Sequence, residues 1–91
     1  MTGRSEAINS IRKALAMLDE RMQRNAGYGV YIHAKEQLGR MLVELGHPYL
    51  APTPKRDWVD IGLMAAKELE AHDIELACAL IDADYDFKHT R

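Results

Sequence analysis

The fold is decided between Ile61 and Tyr85, where the chain reads I-G-L-M-A-A-K-E-L-E-A-H-D-I-E-L-A-C-A-L-I-D-A-D-Y. Trp58, Ile61, Ala65 and Leu69 recur every three or four positions, and so do Leu76, Leu80, Ala83 and Phe87. That spacing puts each set on one face of a helix. Asp73 stands between the sets at an N-cap position, where its carboxylate can accept from a free amide of the next turn, and Glu75 adds charge favourable to the helix dipole. The stretch predicts two short helices, near residues 57–70 and 73–87, joined by a tight corner.

Upstream, the same periodicity occurs twice more. Ile8, Ile11, Leu15, Leu18 and Met22 form a stripe, widened by Ala7 and Ala14, that predicts a helix over 5–25 with its charged residues on the wet side. Asn25-Ala26-Gly27 ends it, glycine being suited to the left-handed conformation common past a helix end. Tyr31, Ala34, Leu38, Met41, Leu42 and Leu45 predict a second helix over 28–45. Gly39 lies inside it at a cost of about 1 kcal/mol relative to alanine, which suggests that another backbone passes close by. Gly46-His47-Pro48 stops this helix, and Pro48, Pro52 and Pro54 make 46–56 an extended connection, after which Asp57 can cap the third helix. The fold class is all-α: a four-helix domain spanning residues 1–91, enclosing Ile11, Leu15, Leu18, Leu38, Leu42, Ile61, Ala65, Leu76 and Leu80.

Composition narrows the function classes. A chain of 91 residues, 47% hydrophobic, is one domain that can hide only about two-thirds of its unfolded surface. Its single cysteine permits no internal disulfide, and no stretch approaches the ~20 apolar residues of a membrane span. A cytoplasmic protein without a membrane partner is expected. The net charge of −2 is uneven: residues 1–56 hold nine Lys/Arg against five Asp/Glu, a balance of +4, whereas residues 57–91 hold three against nine, a balance of −6. Such asymmetry bears on partners and association rate rather than on fold.

Motifs for chemistry are missing. His33, His47, His72 and His89 show neither H-E-x-x-H nor Cys/His spacing, so each is read as a surface or capping residue. Cys78, among Ala77, Ala79 and Leu80, is read as a buried, inert thiol. There is no G-x-x-x-x-G-K-[ST], G-x-G-x-x-G or G-x-S-x-G, which leaves phosphate cradling and serine nucleophiles unsupported. Asp82, Asp84 and Asp86 combine three carboxylates with Tyr85 and Phe87, but D-A-D-Y-D lacks the glycine and glutamate of a calcium-binding loop. Carboxylates near a helix C-terminus face the negative end of the dipole and repel one another, a strain that a basic partner would relieve. Tyr28 and Tyr31, three apart, share a face as half-buried packing residues or as interface anchors.

A resemblance joins these observations. Gly62, Ala65, Lys67, Glu68, an apolar residue at 69, Asp73, Glu75, Leu76, Ala79, Leu80, Asp82, Ala83 and Tyr85 stand in the order of a family of small helical immunity proteins of type VI secretion. Gly27-Tyr28, Val30, Ala34, Gln37 and Leu38 resemble that family's second helix, and Ala14-Leu15-Ala16 with Arg21 its first. The likeness spans roughly residues 7–86, without a gap inside 62–85. It departs from the family in the longer Gly46–Arg56 connection and at Asp84 and Asp86. The family implies an inhibitor with no catalytic, cofactor-binding or metal-binding residues and no cofactor, whose partner is the toxin domain of a secreted effector. That toxin is expected to be an NAD(P)+ glycohydrolase, the alternative being a related effector domain such as an adenosine alarmone (p)ppApp synthetase. The −6 balance of residues 57–91 makes Glu75, Asp82, Asp84, Tyr85 and Asp86 the expected toxin-binding residues, with Tyr28 and Tyr31 as further anchors. Self-association into a homodimer stays open.

Two other classes rank lower. A small helix-turn-helix or regulatory module would need Arg, Lys, Asn or Gln aimed at phosphates and bases, but the third helix offers W-V-D-I-G-L-M-A-A-K-E-L-E after a connection far longer than the usual turn. No nucleic-acid partner is expected. An enzyme ranks third, because no residue pair is poised as nucleophile and base.

Overall fold

Four apolar stripes at helical spacing give four helices. A computed structural model describes residues 2–50 and 56–90, in which α1 is Arg4–Met22, α2 Gly29–Leu45, α3 Ile61–Glu68 and α4 Ile74–Lys88. The fold is a small all-α domain. Residues 51–55, which hold Pro52 and Pro54 of the expected extended connection, lie outside the described residues. On the near side of that connection, Gly46 and His47 still donate back to Leu42 and Glu44, so the helix tightens into a turn before the chain leaves it.

The core is where the stripes meet. Ala7, Ile11, Ala14 and Leu18 of α1 are fully buried, as are Ala34, Leu38 and Met41 of α2, Ile61 and Ala65 of α3, and Leu76, Leu80 and Ala83 of α4. Leu15 and Leu42, expected inside, are half-buried and pack against the core from its edge. Helix α4 is the centre of the arrangement: its most extensive packing is against α1 and α3, while α2 closes mainly on α1.

The third helix starts later than its sequence suggests. Asp57 is exposed and does not cap it; the chain instead makes a turn in which Val59 N–H donates to Arg56 O and the Val59 side chain is buried. Gln37 of α2 enforces this start, donating to Trp58 O (3.0 Å) and Asp60 Oδ1 (2.7 Å) and accepting from Asp60 N–H (3.1 Å). With Asp60 drawn towards α2, α3 begins at Ile61 and keeps only eight residues. Helix α1 ends early too, at Met22, where Gln23 N–H donates to Asp19 O and Arg24 and Asn25 N–H donate to Arg21 O. Gly27 does not supply a left-handed cap, and among the described residues no glycine has a positive φ.

Polar side chains tie the ends together. Arg56 is buried and donates from Nη1 to Phe87 O (2.6 Å) and Thr90 O (2.9 Å), closing the carbonyl end of α4, and its burial lowers the guanidinium pKa. Trp58 packs edge-on to Phe87 under Arg40. Thr2 N–H donates to His89 O, setting Thr2 beside Thr90 in an isolated bridge.

The close approach that Gly39 suggested occurs at a different glycine. Among the described residues, a Cβ on Gly39 would meet nothing within 4 Å, so no described backbone crosses there, whereas a Cβ on Gly62 would come within 3.0 Å of Asp84 Cγ and Oδ2. The two positions should therefore respond with opposite sign. Gly39→Ala should stabilise the domain by up to about 1 kcal/mol, the helix-propensity gain, and Gly62→Ala should destabilise it by about 1–3 kcal/mol by forcing Asp84 aside. Leu38→Ala, which leaves a cavity at a fully buried site, should cost about 2–5 kcal/mol. Urea unfolding of the three variants checks all three signs.

Candidate functional site

Helix α4 carries most of the expected contact residues, and its start is fixed by a single acid. Asp73 caps it, accepting from Leu76 N–H at 3.3 Å. The same carboxylate is gripped from α1 by Arg21, Nε to Oδ2 at 3.1 Å and Nη2 to Oδ1 at 3.3 Å. The Arg21 hydrogen bond holds the Asp73 pKa below the usual carboxylate range, against an opposing contribution from burial. A cleft of about 370 Å³ surrounds this clamp, with Tyr31, His72 and Arg24 among its walls. Because Arg21 and Asp73 satisfy each other inside it, the cleft reads as a structural joint.

The D-A-D-Y-D run does not act as one acidic cluster. Residues two apart on a helix point in different directions, and here they do. Asp82 is exposed. Asp84 is only 7% exposed, with Oδ2 accepting from Gly62 N–H at 2.8 Å and Oδ1 2.9 Å from Lys88 Nζ. It therefore supplies the cap that α3 lacks from its own side chains. Asp86 is half-buried and accepts from Ser10 Oγ and, at 3.4 Å, from Thr2 Oγ1. The expected mutual repulsion is corrected accordingly: helical rotation separates the three groups, and two of them have internal donors.

The expected residues thus fall into separate places. Glu75 and Asp82 line one shallow groove with Lys13 and Met17 of α1. Tyr85, 57% exposed and stacked on His89 with ring centroids 4.0 Å apart, overlooks a different groove between α3 and α4. His89 has the capping role expected of it, with Nδ1 donating to Tyr85 O at 2.7 Å and its backbone forming the C-cap. Tyr28 and Tyr31 meet edge to face at 4.8 Å beside the Arg21 clamp, Tyr31 largely buried and Tyr28 half-buried. They share a face, as their spacing requires.

Sequence reasoning missed a second stripe on α4. Ile74 (54% exposed), Cys78, Ile81 (36%) and Tyr85 are all exposed. Their spacing of four, three and four places them opposite Leu76, Leu80, Ala83 and Phe87. The Cys78 thiol is thus exposed, because it belongs to this outer stripe and not to the core face of its alanine neighbours. Leu63 of α3, 62% exposed, adjoins Ile81 and Tyr85 in the same groove. The repeat at 74, 78, 81 and 85 was present in the sequence as a second apolar face, which a helix on the surface of a monomer does not need.

Among the described residues, no group of three or more His, Cys, Asp or Glu could hold a metal ion, and no buried side-chain nitrogen or oxygen lacks a hydrogen-bond partner. No described helix is long and apolar enough to cross a membrane. The outward side of α4 is apolar along Ile74, Ile81 and Tyr85, with Glu75 and Asp82 exposed beside it. The chain's ordered run of helix residues has a counterpart among known families: the Tsi6 model matches residues 6–89. The chain belongs to the Tsi6 family of type VI secretion immunity proteins. No curated protein and no solved structure matches it. Immunity proteins of this family are of a non-enzymatic, inhibitory kind.

The Arg21–Asp73 clamp gives this surface a pH signature. A carboxylate with a depressed folded pKa stabilises the fold above its unfolded pKa of about 4, and that contribution is lost as pH falls through the folded value. Asp73→Asn keeps a competent N-cap but removes the charge pair. Its stability deficit against the parent should be about 1–2 kcal/mol and level between pH 5 and 8, then shrink below pH ~4. Chemical unfolding across that range measures it; a deficit that grows in acid contradicts the assignment.

Proposed function

We propose that this protein binds and occludes the toxin domain of a type VI-secreted effector, an NAD(P)+ glycohydrolase, and so protects the producing bacterium and its kin from within their cytoplasm. Family membership supports the immunity role. The observation that carries the binding face is the outward side of α4, where Ile74, Ile81 and Tyr85 stay wet beside the exposed carboxylates Glu75 and Asp82.

The chemistry of such a toxin fits that face. A cleft that binds a dinucleotide presents Arg, Lys and backbone amides to its phosphates, and carboxylates on an inhibitor can occupy the same donors. Glu75 and Asp82 supply the charge, and Tyr85 supplies rigid area with few rotamers to freeze. Tyr28, with Tyr31 behind it, is a second candidate anchor on the side of Glu75, whose carboxylate lies 4.0 Å from Arg21. Asp84 and Asp86 act indirectly, by holding α4 against α3 and α1. Charge complementarity speeds encounter and desolvated aromatics slow release, both of which an inhibitor working in stoichiometric amounts requires.

The test uses the toxin domain of the chain's cognate effector. Glu75→Lys with Asp82→Lys should lower the association rate about tenfold at low salt and flatten its salt dependence, and Tyr85→Ala should raise the dissociation rate. Both variants should protect toxin-expressing cells less well while keeping parental helicity. Full binding and protection by both variants would move the interface off α4, and an intact NAD(P)+ pool in cells poisoned by the toxin would exclude the glycohydrolase.

A further inference from the structure

The groove between the start of α3 and the second half of α4 is not used by the flank that holds Glu75 and Asp82. Its lining is apolar where α3 and α4 face each other, from Leu63, Ile81 and Val59, and Tyr85 stacked on His89 forms a wall. On one rim stand Asp57 and Asp60, both exposed, while the groove's own cation, Lys88, is paired with Asp84 at 2.9 Å. The contacts that Asp60 receives from His33 and Gln37 both fall on Oδ1, so a cation can approach Oδ2 without breaking either.

We propose that this groove is the anchor site of the toxin interface, and that it takes an apolar side chain of the toxin that stands next to an arginine or lysine. The apolar group seats between Leu63 and Ile81, and the cation reaches the carboxylates of Asp57 and Asp60. The inference rests on the reading of the chain as a toxin-binding protein and adds the chemistry of the segment that is bound.

Two alternatives fit less well. A small ligand needs most of its surface covered, whereas Leu63 at 62% and Tyr85 at 57% exposure mark a groove too open to enclose one. A protein segment brings its own cover. A second copy of this chain would meet the groove through the same patch on both subunits, bringing Asp57 and Asp60 of each copy to one interface in a stretch that already carries −6. Like charges so placed oppose association. A basic residue beside an apolar one reverses that sign, and it reproduces the usual arrangement of a packed anchor at the centre with polar contacts at the rim.

The experiment places the photo-crosslinking residue p-benzoylphenylalanine at Leu63 in the full chain. The chain is irradiated with the cognate toxin domain, and the crosslinked peptide is sequenced. The expected peptide carries Arg or Lys within two residues of a large apolar residue. In parallel, Leu63→Asp and Ile81→Asp should each weaken toxin binding at least about tenfold, as loss of a central anchor does. Val43→Asp, at an exposed apolar position of α2, should leave binding within twofold, and circular dichroism should show all three folded. A crosslink to an acidic or wholly polar segment, a crosslink to a second copy of the chain, no crosslink, or unchanged affinity of both groove variants overturns the inference while the toxin-binding reading stands. Failure of the unsubstituted chain to bind the toxin at all overturns both.

Discussion

An eight-residue helix is too short to hold itself together in water, and α3 has no side-chain cap of its own. The Asp84 carboxylate resolves this by reaching across from α4 to accept the Gly62 N–H, with Lys88 balancing its charge from one turn further on. Only glycine at 62 leaves room for it. Once α3 is fixed at that point, Ile61 and Ala65 face the core, Leu63 faces outward, and the groove beside Tyr85 has its width. Gln37 and Arg56 complete the frame, one setting where α3 begins and the other where α4 ends.

The same economy governs the opposite corner. Asp73 serves two helices, as cap for α4 and as counter-ion for Arg21 of α1, so the start of the last helix is referred to the end of the first. Clamps of this kind are modest individually, since partly exposed ion pairs contribute little. Their effect here is geometric. They fix the rotation of α4 about its own axis, and that rotation decides which of its two apolar stripes is buried.

How much of this was legible in the sequence follows from what each signal depends on. Helix number and core faces depend on local periodicity, and Ile11, Leu18, Leu38, Ile61, Leu76 and Leu80 were all placed inside by it. The start of α3 depends on Gln37, more than twenty residues away, and no local rule could have moved it from Asp57. Acid at 82, 84 and 86 reads as one cluster along the chain, yet Asp84 and Asp86 are absorbed by Gly62 and Ser10 from other helices. Cys78 misled because helical rotation turns it away from the face of its alanine neighbours, and Gly39 because no other described segment packs against it. The outer stripe was readable, but recognising it required treating α4 as a helix with two apolar faces.

Placing the central helix last in the order of the fold has a consequence for synthesis. The α1 stripe from Ala7 to Leu18 is covered largely by α4, some seventy residues downstream. At roughly 5–20 residues per second on the ribosome, α1 waits several seconds for its main partner. In that interval α3 also lacks Asp84, and the outward stripe of Ile74, Ile81 and Tyr85 does not exist, because it is made of α4 itself. The four-helix core is therefore complete only once α4 has emerged. A messenger cut short within the last helix leaves the α1 stripe without its main cover.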